Sequence, residues 1–118
     1  MPYDPNNIFA KILRHEVSSD RVYEDEDFIA FSDLSPQAPT HLLLIPRGEA
    51  PTSSDELTDA DQDWLGRMIV VATRIAREQG LASEGYRLVL NCGPNGGQTV
   101  SHLHLHILGG APLGHFGT

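Results

Sequence analysis

Residues 101–110 read SHLHLHILGG, so His102, His104 and His106 occupy every second position of an otherwise apolar run. Successive side chains of an extended strand point to opposite faces, so the three imidazoles would share one face and the aliphatic residues the other. The aliphatic face is suited to packing. The other face would gather three groups that can attack, bind metal or transfer protons near neutral pH.

Composition limits the class of protein that carries this strand. A chain of 118 residues predicts a single domain spanning residues 1–118, and a net charge of −8 argues against a nucleic-acid partner. No apolar run reaches the length of a membrane helix, and the amino-terminal residues include acidic and basic side chains where a signal peptide would need a continuous apolar core. Cys92 is the only cysteine, which precludes an intrachain disulfide. We therefore expect a cytoplasmic protein without a membrane partner.

The histidine segment lies in a locally neutral part of this acidic chain. Residues 88–118 contain no Lys, Arg, Asp or Glu, and a glycine-rich loop over residues 93–98 precedes the histidines. Such loops expose backbone N–H groups in a concave arrangement that suits a phosphate. A phosphate bound here would depend on backbone N–H groups, amides, hydroxyls and imidazoles.

Hydrophobic periodicity and turn residues predict the order of the elements. We expect an amphipathic helix, a hairpin, a strand, a long helix that begins near Thr58 and stops at Gly80, another strand, and the histidine strand. The corresponding ranges are 6–16, 22–31, 41–45, 58–80, 86–91 and 101–110. This order predicts an α+β fold with a five-stranded, mostly antiparallel sheet, two helices covering one face, and the histidines on the other face.

The residues alone leave three interpretations of the histidines open. They could be exposed residues of a structural strand. They could bind zinc, with His41 or Cys92 as a ligand from elsewhere in the chain. They could also supply a nucleophilic imidazole, which the neighbouring glycine loop favours because it suits phosphate chemistry.

Several motifs beyond the triad resemble one family. They are the segment DLSPQAPTH (residues 33–41), Ile45-Pro46, Gly85-Tyr86-Arg87 and the run from Gly96 to Gly110. Together they resemble the histidine-triad family, and within it the purine nucleoside phosphoramidase branch. The resemblance implies a five-stranded antiparallel sheet with two helices, and a homodimer that joins two sheets into a larger one. It implies hydrolysis of the P–N bond of purine nucleoside phosphoramidates without a metal or other cofactor.

The resemblance also assigns roles to the histidines. His104 would be the nucleophile that forms a nucleotidyl-histidine intermediate. His102 and His106 would flank and orient it, and His41 would complete the hydrogen-bonded group.

Further positions match residues that bind the substrate in that branch. Asp33 would pair with the ribose hydroxyls. The phosphate and the leaving group would be held by Asn91, Gly97, Gln98 and Thr99. The apolar slot around the purine would comprise Ile8, Phe9, Ile12, Phe31 and Leu34, although their spacing alone would equally suit an ordinary core.

Some residues depart from the pattern of the branch. Leu34 replaces another aliphatic residue, Cys92 stands where relatives are often acidic, and the tail over residues 111–118 lacks a Trp-Pro-Pro-Gly ending. Two other functions stay open. One is a dinucleoside polyphosphate hydrolase of the sister branch, which usually has glutamine at the position of Asn91. The other is a nucleotide-binding regulatory module whose partner is a protein.

Overall fold

The computed structural model describes residues 2–115, so the last three residues of the atypical tail lie outside the described part. The helices are α1 (Ile8–Leu13) and α2 (Gln62–Glu78); the strands are β1 (Arg21–Glu24), β2 (Phe28–Ser32), β3 (Thr40–Pro46), β4 (Tyr86–Val89) and β5 (Leu105–Gly109). The strand order is β1-β2-β3-β5-β4, and every neighbouring pair is antiparallel. This confirms the predicted five-stranded antiparallel sheet.

The two helices pack on opposite faces of the sheet. The core beneath α2 contains Leu103, Leu105 and Ile107, the aliphatic face of the histidine segment. A second core joins α1 to the residues of β2 and β3 whose side chains point the other way, as strand alternation requires. The expectation that both helices cover one face is therefore wrong, because the histidine face has an apolar helix of its own.

Both helix starts follow from capping residues. The Asn7 side chain accepts a hydrogen bond from the Ala10 N–H at the start of α1. Before α2, Thr58 and Asp61 form a capping box around a short 3-10 turn, which confirms the capped turn predicted at Thr58, and α2 itself begins directly after this turn, at Gln62. Within the described residues, neither helix combines the length and apolar character needed to cross a membrane.

The strand that contains the histidines is shorter than its alternation predicts. It begins at Leu105, so only His106 of the triad lies within β5. The preceding residues leave the ladder because the Leu103 N–H donates to the Pro51 carbonyl, at 2.8 Å. His102 and His104 therefore belong to an irregular segment that approaches another part of the chain.

The first helix and β4 are also shorter than expected. Helix α1 ends at Leu13, and His15 follows with a φ of 61°, in the left-handed region. This conformation stops the helix before Glu16, the predicted end. Strand β4 ends at Val89, two residues before Asn91.

The left-handed conformation of His15 predicts the response of stability to substitution. His15→Val should lower the free energy of unfolding by about 1 kcal/mol or more, because a β-branched side chain fits this region poorly. His15→Gly should leave it unchanged or raise it slightly, since glycine has no Cβ to strain. Urea unfolding followed by circular dichroism measures both. Equal stability of the valine and glycine variants would contradict the assignment of strain.

Candidate active site

A cleft of about 520 Å³, here called the histidine cleft, lies on the sheet face covered by α1. Its walls come from α1, the ends of β2 and β3, the glycine-rich loop and the histidine segment. The predicted site residues that line it are Ile8, Phe9, Ile12, Phe31, Asp33, Leu34, His41, Gly97, Thr99, His104 and His106. The fold thus gathers in one place residues from almost the whole length of the chain.

Three predicted site residues do not line the cleft. The Asn91 side chain donates to the Gly96 carbonyl, at 2.6 Å. The Gln98 amide donates to the carbonyls of Thr52 and Val100, and its oxygen accepts from the Gly93 N–H. Both side chains therefore brace the glycine-rich loop. The third residue, His102, is buried behind the cleft wall.

The cleft also contains residues that no motif in the sequence indicates as part of a site. They are Ser18, Ser19, Ser32, Ser35, Gln37, Leu43 and Val100. Leu43 could have been found from strand alternation, because it follows His41 by two positions and shares its face. Ser18 and Ser19 belong to the connection between α1 and β1, where no periodicity signals a position.

One half of the cleft is apolar. The rings of Phe9 and Phe31 meet edge to face with centroids 5.6 Å apart, and Phe9 lies 4.9 Å from the His104 ring. Leu34 is 85% exposed at the mouth. A flat apolar ligand would bury this leucine and rest against the aromatic rings, and such burial supplies most of the affinity of small-molecule sites.

The hydrogen bond of His104 determines where its lone pair lies. His104 Nδ1 is 2.8 Å from the backbone oxygen of His102. A carbonyl can only accept, so Nδ1 carries the proton and Nε2 of the neutral ring keeps a free electron pair. The ring thereby presents an unprotonated nitrogen in a residue that is only 6% exposed but lines the cleft.

A second chain of hydrogen bonds fixes His41 and His106. The Gln37 N–H donates to His41 Nδ1 at 3.0 Å, so the proton of the neutral ring lies on Nε2. His41 Nε2 is 2.8 Å from His106 Nδ1, which therefore accepts. His106 then carries its proton on Nε2. The backbone amide of Gln37 thus sets the tautomers of both rings.

Asp33 joins this chain at the edge of the cleft. Its Oδ1 accepts from the Ser35 N–H at 2.7 Å, and its Oδ2 lies 3.5 Å from His41 Nε2. The Asp33 backbone N–H donates to the His41 carbonyl, at 2.9 Å. The carboxylate is thus oriented by one oxygen, and the other can accept from a ligand.

Burial keeps the four histidines neutral. Desolvation, which penalises the imidazolium form, lowers the pKa of His104 and of His41, although the nearby Asp33 charge opposes it. Desolvation, together with the other histidines, lowers the pKa of His102 and of His106 to about 4. At neutral pH the cluster therefore offers uncharged acceptors and donors.

Three residues of the cleft could also hold a metal ion. The ligand atoms of Asp33, His41 and His106 all lie within 4.8 Å of one another, and two imidazoles with one carboxylate form a donor set that zinc accepts. His41 was one of the expected outside ligands. Cys92, the other, is exposed and does not line the cleft. A metal ion here would have to replace the hydrogen bond between the two histidines.

The fold and the histidine cluster define a small α+β domain with a neutral imidazole group at the bottom of an apolar cleft. The family model described as HIT domain matches residues 14–113. The chain therefore belongs to the HIT domain family, the histidine-triad family that its motifs resemble.

Individual relatives agree with this assignment. The chain is 53% identical over 107 residues to the protein of Escherichia coli (strain K12) named purine nucleoside phosphoramidase, covering 91% of this chain and 89% of that one. It is 44% identical over 111 residues to the 14 kDa zinc-binding protein of Zea mays, covering 93% and 86%. A HIT family hydrolase structure from Legionella pneumophila Philadelphia 1 superposes with a TM-score of 0.91 at 40% identity, covering 96% and 100%.

Proposed function

We propose that the protein hydrolyses the P–N bond of purine nucleoside phosphoramidates through a nucleotidyl intermediate on His104. The observation that carries this proposal is the hydrogen bond from His104 Nδ1 to the His102 carbonyl, because it leaves Nε2 unprotonated in a residue that lines the cleft. The 53% identity to the E. coli purine nucleoside phosphoramidase supports the choice of substrate class.

The reaction has two steps. The His104 Nε2 electron pair attacks the α-phosphorus and forms an N–P bond; the P–N bond of the substrate breaks, and the amine leaves with the electron pair of the broken bond and takes up a proton. Water then attacks the same phosphorus and gives up a proton, the bond to Nε2 breaks, and the ring regains its lone pair. The His102 carbonyl stabilises the ring in the intermediate, when the imidazole carries positive charge, because it accepts from Nδ1–H in both states.

The cleft supports separate sites for the parts of the nucleotide. The purine would lie against Phe9, Phe31 and Leu34, while the ribose hydroxyls would donate to Asp33, whose Oδ2 is not held by the Ser35 N–H. The phosphate would lie between His104 and the loop that contributes Thr99.

The structure supports an indirect role for two residues of the phosphate site. Asn91 and Gln98 hold the glycine-rich loop through hydrogen bonds to its backbone. A Cβ at Gly96 would clash with the Cys92 carbonyl, so the loop also depends on a glycine at its closest approach. Direct contact of either side chain with the phosphate stays a prediction, as does a cytoplasmic location.

His104→Ala should reduce turnover of adenosine 5′-phosphoramidate by about three orders of magnitude or more, because the nucleophile is lost while the cleft is retained. Release of adenosine monophosphate and of the amine measures it, and calorimetry should show that the variant still binds the monophosphate. His15→Gly is the control, because it also replaces a histidine but one that does not line the cleft, and its turnover should stay near that of the wild-type protein. Near-wild-type turnover by His104→Ala would rule out the proposed mechanism.

The same assay distinguishes the alternatives. Faster cleavage of a dinucleoside polyphosphate than of the phosphoramidate would favour the sister activity, and binding without turnover would favour a regulatory module. Chelator should leave the rate unchanged. Loss of activity on chelation with recovery on added zinc would favour the cluster of Asp33, His41 and His106 as a catalytic metal site.

The lowered pKa of His104 predicts an acid limb of kcat/KM below pH 6.5. Because burial lowers the pKa of His104, its ring stays neutral as the pH drops through the ordinary histidine pKa of about 6.5. The ring is protonated, and can no longer attack, only at a lower pH. Initial rates between pH 8 and pH 4.5 measure the midpoint, with substrate-only blanks because P–N bonds hydrolyse in acid. A midpoint at or above 6.5 would contradict the neutral, buried site.

A homodimer belongs to the same proposal. Strand β4 forms an edge of the sheet, and on α2 the side chains of Ile69 and Val70 are exposed. An unpaired strand edge and exposed aliphatic residues each favour association with a second copy. Analytical ultracentrifugation should find a dimer, and Val70→Glu should shift it toward monomer because it places a charge at the contact. A monomeric wild-type protein would refute this part of the proposal.

A further inference from the structure

Tyr3, near the beginning of the chain, contacts the triad from outside the histidine cleft. Its hydroxyl lies 2.7 Å from His102 Nδ1, although the two residues are 99 positions apart in the sequence. Their rings meet edge to face, with centroids 5.6 Å apart. Tyr3 does not line the cleft, so this contact is separate from ligand binding.

The direction of this hydrogen bond follows from the other nitrogen of His102. His102 Nε2 lies 2.9 Å from the Pro46 carbonyl, which can only accept, so Nε2 carries the proton of the neutral ring. Nδ1 is therefore the acceptor, and the Tyr3 O–H donates to it. His102 is 0% exposed, so solvent has no access to supply another donor.

His102 is also the residue whose backbone orients His104. With Tyr3 on one ring nitrogen and Pro46 on the other, the side chain of His102 is held at both ends. Its carbonyl accepts from His104 Nδ1 at 2.8 Å. Phe9 packs beside both rings, with centroids 6.1 Å from His102 and 4.9 Å from His104.

We infer that Tyr3 is a positioning residue for the nucleophile: its hydroxyl holds His102 in place, and the His102 carbonyl holds His104. This inference rests on the proposed function, since it concerns the attacking ring of that reaction. It explains why His102 belongs to the cluster without lining the cleft. Small displacements of an attacking atom are enough to slow a reaction strongly.

Tyr3→Phe tests the inference, because it removes only the hydroxyl and keeps the ring against His102. We expect kcat for adenosine 5′-phosphoramidate to fall by about 10-fold, and KM to change by less than about two-fold because Tyr3 is outside the cleft. Tyr23→Phe is the matched control. Tyr23 also donates its hydroxyl, to Asp25 Oδ2 at 2.6 Å, but packs against the core beneath α2.

Imidazole ¹⁵N spectra give a readout that does not depend on turnover. In the wild-type protein, His102 Nδ1 should resonate as an acceptor of a hydrogen bond and His104 should carry its proton on Nδ1. Tyr3→Phe should move the His102 Nδ1 signal toward that of a free nitrogen and should perturb His104. Tyr23→Phe should leave both signals in place.

Three results would overturn the inference. They are a kcat of Tyr3→Phe equal to that of Tyr23→Phe, a rise in KM that accounts for the whole loss of kcat/KM, or unchanged His102 and His104 signals. If Tyr3→Phe does not fold, the wild-type spectrum decides the question. The inference is overturned if His102 Nδ1 resonates as a free nitrogen, and it is supported if Nδ1 resonates as the acceptor of a hydrogen bond. Absence of wild-type turnover would refute the proposed function, while the spectra would still decide the role of Tyr3.

Discussion

The hydrogen bond from His104 Nδ1 to the His102 carbonyl is the interaction on which the site depends. It fixes the tautomer, and a ring held through one nitrogen has only its other nitrogen left to react. Since the acceptor is a backbone atom, the position of His104 is tied to the path of the chain at His102. That path is set in turn by the Leu103 N–H, which donates to Pro51, and by the side-chain contacts of His102.

The arrangement depends on the two faces of the sheet, which pack against different helices. One face carries the core beneath α2, which includes aliphatic residues of the histidine segment, so the segment is anchored without using the imidazoles. The other face carries α1, whose Phe9 packs beside the rings of His102 and His104 and also lines the cleft. Burial on that face lowers the histidine pKa values and keeps the rings neutral.

Much of this could be predicted from residue patterns, and the failures have physical causes. Alternation predicted the strands and the separation of aliphatic from imidazole side chains. It failed at His102 and His104 because a backbone hydrogen bond between distant segments removed them from the ladder. The face predicted for α1 was wrong because an amphipathic pattern shows that a helix packs against a core but does not show on which side of the sheet it lies. The resemblance identified most of the residues that line the cleft, but no sequence spacing could reveal the contact between Tyr3 and His102.

In the proposed reaction, an acidic protein would receive an anion without a cationic side chain. None of the described residues that line the cleft is Lys or Arg, and Asp33 is the one carboxylate among them. A phosphate therefore depends on oriented N–H and O–H groups, which are effective where water is scarce and need no reorganisation as charge develops. An imidazolium would hold the anion but could not attack it, so the burial that weakens the histidines as bases preserves the lone pair that the proposed attack needs.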